Sequence, residues 1–444
     1  MSPHQTSERP KMTCLQLTSS VMLNMLGAAI IFMPTKLAEI GTLSILSWIV
    51  TIIGATTISY VFSRCGTFSR HRGGLGGYSS YAFGKSGSFL ANYTYAISLL
   101  IANLTIAISI VGYFMVLFGW KLSPVEAGAA SFLILVICSI PVAGGASIVG
   151  RLCNFSSLGI LIPILFLATV GWHWFSPERF IASWNPHNLA LFDGVSAGIS
   201  MTLWGFLGIE AAGANAEQVE NPERSVPISM LCSTVGSGII YVLANNIAFG
   251  IVDIGEIAHS TAPFGLVFAS MFGDGVAQFV MGLMAISCMG SLMSWQFTIS
   301  EVFRSSSEQK YFPRVFSLVS KRNAPVYGIA LILAAQGLLA IVSANPRLQE
   351  QFYILKDIAV VTNLVPYLLV FSSVVVLMHR ESVEFNIAAR TGFAAAAASA
   401  YCLYALYACG PNAMLWGSLT TFAGLHLYGW VAAKLEYEGT LRDP

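Results

Sequence analysis

Charge is scarce in this chain. Only 10% of its 444 residues are Asp, Glu, Lys or Arg, 55% are hydrophobic, and mean hydropathy is +0.71. Soluble domains carry about 25% charged residues, so a water-solvated globule is excluded. Cysteine is sparse too. The eight cysteines (14, 65, 138, 153, 232, 288, 402 and 409) sit mostly inside apolar runs, with no CxxC or Cys/His spacing. That pattern excludes a disulfide framework and a metal cluster of ordinary spacing, and reads as small buried hydrophobes. HExxH, GxSxG and paired acids within apolar segments are absent as well, so the common enzyme constellations are missing. The glycine-rich stretch 73–78 (GGLGGY) lacks the Lys-Ser/Thr ending of a phosphate cradle and is expected to be a flexible loop. No cofactor, metal or nucleic-acid partner is expected. The Asn-x-Ser/Thr triplets at Asn92 and Asn103 lie in or beside an apolar span, so glycosylation is not expected either.

What the chain has in abundance is long apolar runs. A spanning helix needs about 20 apolar residues. Runs bounded by turn residues predict twelve spans, at 14–40, 43–64, 89–118, 125–141, 155–174, 195–215, 226–251, 276–303, 326–342, 354–378, 387–408 and 414–433. The polar, basic residues 1–12 precede the first run without a small-residue cleavage site, which predicts a retained span rather than a cleaved leader. With that end placed inside, seventeen of the 22 Lys and Arg residues fall on the cytoplasmic side and five (Lys36, Lys121, Arg179, Arg347 and Lys356) on the other. Such a bias predicts cytoplasmic termini. The organisation expected is a cytoplasmic tail at 1–13, a ten-helix core at 14–378, two further helices at 379–433 and a second cytoplasmic tail at 434–444.

Two of the predicted spans look interrupted. The first carries Gly27, Ala28 and Ala29 midway, with Pro34 soon after. The sixth carries Gly205, Gly208 and Gly213 around Glu210. Glycines permit close approach and unwinding, tolerable at bilayer depth only where the backbone faces protein or a water-filled cavity. A carboxylate at that depth costs roughly 2.5–3.5 kcal/mol and marks a functional site. Interrupted spans in corresponding positions, five helices apart, are the sequence sign of an inverted-repeat transporter whose site lies at the midplane. Glu210 would there attract a cationic substrate. A channel is the alternative outside this class, disfavoured by a single acid and no repeated filter.

The segment WGFLGIE at 204–210 is followed by NPERSVP at 221–227, a helix stop and restart fixed by prolines. Together they resemble the amino acid–polyamine–organocation superfamily. The runs PTKLAEIG (34–41), YAFGKSG (81–87), WNPH (184–187) and SLMSWQFT (291–298), with the segment 360–367, are similar to the bacterial putrescine–ornithine antiporters of that superfamily. The resemblance implies an all-α polytopic membrane protein of twelve transmembrane helices in a five-plus-five inverted repeat (LeuT-like), with helices one and six broken. It implies exchange of putrescine for ornithine across the bacterial inner membrane, with proton-coupled putrescine uptake as a second mode. Cadaverine/lysine, agmatine/arginine or general amino acid transport are the alternatives within the class. Expected partners are these small-molecule substrates and the lipid bilayer, with a homodimer as the candidate assembly.

The resemblance also implies roles for particular residues. Glu210 would pair with the amine, and Trp204 and Trp295 would offer aromatic faces at cation–π range, about 0.5–2 kcal/mol each. Tyr95 and Tyr367 match gate positions and Asn103 a substrate contact. Gly27, Ala28 and Ala29 match the carboxylate-binding break. Cys65 and Tyr428 match positions important for transport. Two departures stand out. Ala29 replaces the second glycine of the usual glycine-small-glycine, narrowing the approach of a carboxylate to the backbone amides. Ser80 stands where close relatives tend to carry an acid. Glu301, Lys356 and Asp357 are expected to be interfacial charges facing water.

Overall fold

The computed structural model describes residues 13–71, 74–210, 221–320, 324–344 and 347–437. Gly213 and part of the predicted sixth span therefore lie outside the described residues. Every regular element among the described residues is helical.

The α-helices are α1 (Cys14–Ala29), α2 (Met33–Ala38), α3 (Ser44–Phe68), α4 (Gly74–Phe118), α5 (Pro124–Ala143), α6 (Ala146–Ser156), α7 (Leu158–Val170), α8 (Pro177–Ala182) and α9 (Leu191–Trp204). After the 211–220 segment follow α10 (Pro222–Ile251), α11 (Ile254–Ala258), α12 (Pro263–Phe272), α13 (Asp274–Glu308), α14 (Val326–Val342), α15 (Leu348–Arg380), α16 (Phe385–Ala408) and α17 (Gly410–Tyr437). Among the described residues, seven spans are long and apolar enough to cross a membrane, and nine if each of two bent pairs counts as one. The chain is a multi-pass membrane protein.

Local chemistry explains several boundaries. Thr13 and Gln16 form a capping box at the start of α1, and Ser123 and Glu126 form another at α5, where Pro124 occupies the first turn. α1 passes through a 3-10 turn at Ile30–Phe32 into α2, with a bend of 46° between 14–27 and 30–38. α9 stops at Trp204, and the turn that follows carries Gly208 at φ +107°. Tyr241 on α10 ties these two points together. Its hydroxyl lies 2.6 Å from the Met25 carbonyl and 3.0 Å from the Gly205 carbonyl, while its ring stacks on Trp48 at 5.3 Å.

The packing places the centre of the molecule between α1, α4, α9, α13 and α15. α15 lies along α4, α13 also packs on α4 and on α1, and α10 packs on α1 and α3. The core is contiguous across these helices.

Two expectations need correction. Of the stretch 73–78, Gly73 lies outside the described residues, and 74–78 is not a flexible loop but the first turn of α4, which continues to Phe118 through a break at Gly84 (φ 56°, ψ −146°). Gly76 serves packing, since a Cβ there would lie 2.5 Å from the Asn92 carboxamide oxygen. Lys356 does not face water: its side chain is 1% exposed, held by Ser200 and Asp357. A lysine in an apolar run reads equally as a surface or a buried charge; only the approach of α9 decides it.

Candidate functional site

The turn after α9 brings Glu210 back against α4 and α15. Tyr95 of α4 donates its hydroxyl to Oε1 at 2.8 Å, Tyr367 of α15 donates to Oε2, and the Gly208 amide donates to Oε2 at 3.1 Å. Three donors on one half-buried carboxylate offset the cost of withdrawing it from water. The turn can form because Gly208 takes a left-handed φ and leaves room for Trp295.

Beside this triad lies a cavity of about 40 Å³. Trp204 and Leu207 wall it from the α9 side, Ala29 and Asn24 from α1, Trp295 from α13 and Asn363 from α15. Leu99, Ala102 and Ile106 complete it from α4, at one helical face with Tyr95 four residues before Leu99. The volume admits a water or two and is smaller than a diamine. Glu210 is not part of this lining, as its oxygens are turned to the tyrosines and Gly208. Two polar groups in the wall lack a hydrogen-bond partner among the described residues: the Trp204 indole N–H and Asn363 Oδ1. Aromatic faces, an amide oxygen and a neighbouring carboxylate are the complement of an alkyl ammonium.

The other residues singled out in the sequence fall in different places. Gly27 lines a second cavity of about 50 Å³ with Asn24, Asn154, Ser287, Ser291 and Ser294. A Cβ there would lie 2.4 Å from Ser291 Oγ, so this glycine sets the α1–α13 approach. The side chain of Ala28 lies outside what the structure describes. Asn103 is fully buried and its Nδ2 donates to Gln296 Oε1 at 3.1 Å, with Gln296 Nε2 donating in turn to Gln336 Oε1 at 2.8 Å. That chain of amides crosses α4, α13 and α14 rather than lining the central cavity. Cys65 is buried in α3, and Tyr428 packs on Phe89 at 5.4 Å in a separate aromatic cluster with Tyr311 and Leu435. Neither lines either cavity.

Glu301 pairs with Arg304 at 3.6 Å near the end of α13, as an interfacial charge would. Around Ser80 a different acid takes part. Ser80 Oγ is 2.8 Å from His71 Nδ1, the His71 ring packs at a tilt on Tyr81, and Tyr81 donates to Glu381 at 2.7 Å, which also holds Arg70 at 2.9 Å. Asn24 and Asn363 escaped the sequence reading, although each is a polar side chain in an apolar run. Asn363 also lies four residues before Tyr367, one turn along the same face.

A multi-pass helical chain with an aromatic and polar cavity at the meeting of five helices has the architecture of a membrane permease. The amino acid permease family model matches residues 12–432, and the chain belongs to that family. It is 49% identical over 426 residues to the putrescine transporter PotE of Escherichia coli, covering 96% of this chain and 97% of that protein. The Haemophilus influenzae putrescine transporter PotE is also 49% identical, over 96% and 98%. The cadaverine/lysine antiporter of Escherichia coli is 31% identical over 388 residues, 86% of each chain.

Proposed function

We propose that this protein is a secondary antiporter of the bacterial inner membrane that exchanges putrescine for ornithine, with Glu210 as the anchor for the amine. The observation that carries the reading is the Tyr95–Glu210–Tyr367 arrangement beside a cavity walled by Trp204 and Trp295. The names of the relatives at 49% identity support putrescine as one substrate. The exchange partner rests on the motif resemblance.

In this reading the chain has twelve spans, with α1–α2 and the 195–215 segment as the two broken helices of a five-plus-five inverted repeat. Residues 14–378 form the transport core, 379–433 add two helices, and both tails (1–13 and 434–444) are cytoplasmic, consistent with the lopsided distribution of Lys and Arg. The dication enters between α4 and α15, its amine displacing the tyrosine hydroxyls from Glu210 while its methylenes lie between Trp204 and Trp295. Tyr95 and Tyr367 close behind it, and rocking of one helix bundle against the other exposes the site on the outer side. A carboxylate that alternates between a tyrosine-bonded and an amine-paired state also gives proton-coupled uptake a carrier. Gly27 to Ala29 present the first-helix break to the substrate, whereas Cys65, Asn103 and Tyr428 act through packing that holds the bundles.

The 31% identical relative favours one other pair, cadaverine with lysine. Proteoliposomes loaded with putrescine, cadaverine or agmatine and offered ornithine, lysine or arginine outside separate the readings. Uptake of ornithine that requires internal putrescine is expected. Stimulation by lysine and cadaverine alone would reassign the pair, and flux that needs no trans substrate would rule out exchange.

A further inference from the structure

Lys356 lies on α15 with 1% of its side chain exposed. A buried ammonium is costly unless its three donors are matched. One goes to Ser200 Oγ at 2.8 Å, and the other polar contact of the ammonium among the described residues is Asp357 Oδ1 at 2.5 Å. That Asp357 oxygen is itself buried without a hydrogen bond, because the contact is an ion pair outside hydrogen-bond geometry. The rest of the Asp357 side chain is reachable, at 24% exposure. Adjacent opposite charges thus stand together with unused hydrogen-bonding capacity.

Their position relates them to the central cavity. Ser200 is one turn before Trp204 on α9. Lys356 precedes Asn363 by seven residues and Tyr367 by eleven, so the three share one face of α15, about 10 and 16 Å apart along its axis. Trp204 and Asn363 line the cavity. Lys356 and Asp357 stand one to two turns beyond it, toward the Leu348 end of α15.

We propose that Lys356 and Asp357 form a docking subsite for the head group of an α-amino acid, ahead of the central cavity on that side. An α-amino acid bears a carboxylate and an ammonium on one carbon, and an adjacent lysine and aspartate are its complement. The carboxylate takes the open Lys356 donor and the α-ammonium takes the reachable oxygen of Asp357, Oδ2, while Oδ1 stays against Lys356. A diamine offers no carboxylate and meets the Lys356 charge as repulsion. The pair therefore sorts amino acid from diamine on one side of the membrane, and gives the carboxylate a recognition point away from the first-helix break narrowed by Ala29. This rests on the exchange reading above and names the groups that would recognise its amino acid half.

The test is exchange by the full-length protein in putrescine-loaded proteoliposomes, with ornithine, ornithine methyl ester and putrescine as external substrates. In Lys356→Met the KM for ornithine should rise about tenfold while that for putrescine falls, and the preference for ornithine over its ester should disappear. Lys356→Arg should keep the preference. Equal changes for ornithine and putrescine, or an unaltered ornithine-to-ester ratio, would overturn the subsite. If Lys356→Met does not fold, Ser200→Ala decides. It keeps both charges and removes the competing acceptor, so ornithine should gain several-fold over putrescine, and unchanged selectivity refutes the proposal. A wild-type protein that exchanges putrescine but prefers no amino acid over its ester sinks the subsite and leaves the transport reading standing. Normal putrescine transport by Glu210→Gln does the reverse.

Discussion

Gly208 lies directly under the indole of Trp295: a Cβ on this glycine would stand 2.9 Å from Cη2 and 3.0 Å from Cζ2 of the ring. The same residue has φ +107°, where an L side chain is strained. Space and conformation therefore both demand glycine, and the Gly208 amide reaches Glu210 as a result.

Gly208→Ala should lower the apparent affinity for putrescine on the order of tenfold, from a combined strain of about 1–3 kcal/mol. Gly84→Ala is the control. Gly84 also has positive φ (56°), but a Cβ there would meet nothing within 4 Å. A KM for putrescine that shifts equally in the two variants would mean that the Trp295 contact is irrelevant to binding.

Glu210→Gln removes the charge and keeps the shape. Truncating one partner of a buried charged pair costs about 2–5 kcal/mol, so diamine transport should fall at least roughly thirtyfold. Membrane insertion and detergent-extracted yield should stay near normal, because the Gln oxygen can still accept from Tyr367 and the Gly208 amide while its NH2 donates to the Tyr95 hydroxyl oxygen. Near-wild-type putrescine uptake by a well-expressed variant would remove Glu210 from the mechanism.

How much of this was legible in the sequence varies by residue. Glu210 stands out as an acid in an apolar run, and Trp204 enters through the resemblance to the family, since the helix itself ends there. The motif runs reached the family. Lys356 and Asn363 could not be assigned in the same way. Both are polar residues on α15, and what they face depends on α9 and α1, which are far away in sequence. Gly76 misled for a physical reason: a glycine wanted for close packing against Asn92 looks like one wanted for flexibility. Tyr241 was invisible because its significance lies in two distant backbone carbonyls.

Those carbonyls supply a further prediction. The Tyr241 hydroxyl has one proton to offer the Met25 and Gly205 oxygens, so Tyr241→Phe leaves both without it. Loss of a buried hydrogen bond costs about 1–3 kcal/mol. The variant should unfold at lower temperature in detergent, and its maximal exchange rate should change more than its KM. An unaltered Tm would show that this hydroxyl does not hold the two chain turns together.

Ala29→Gly tests the first-helix half of the site. Ala29 lines the central cavity and is only 8% exposed, so its methyl occupies space that a substrate would need. Removing it widens the approach to the backbone of this turn and frees its conformation. A carboxylate gains from access to backbone amides, whereas a diamine gains nothing there. Ornithine affinity should therefore improve several-fold, with putrescine affinity changed far less, as read from the two KM values in counterflow. The helix cost of glycine, roughly 1 kcal/mol against alanine, would appear in Tm and act on both substrates alike. Equal KM shifts for ornithine and putrescine would place the carboxylate away from α1 altogether.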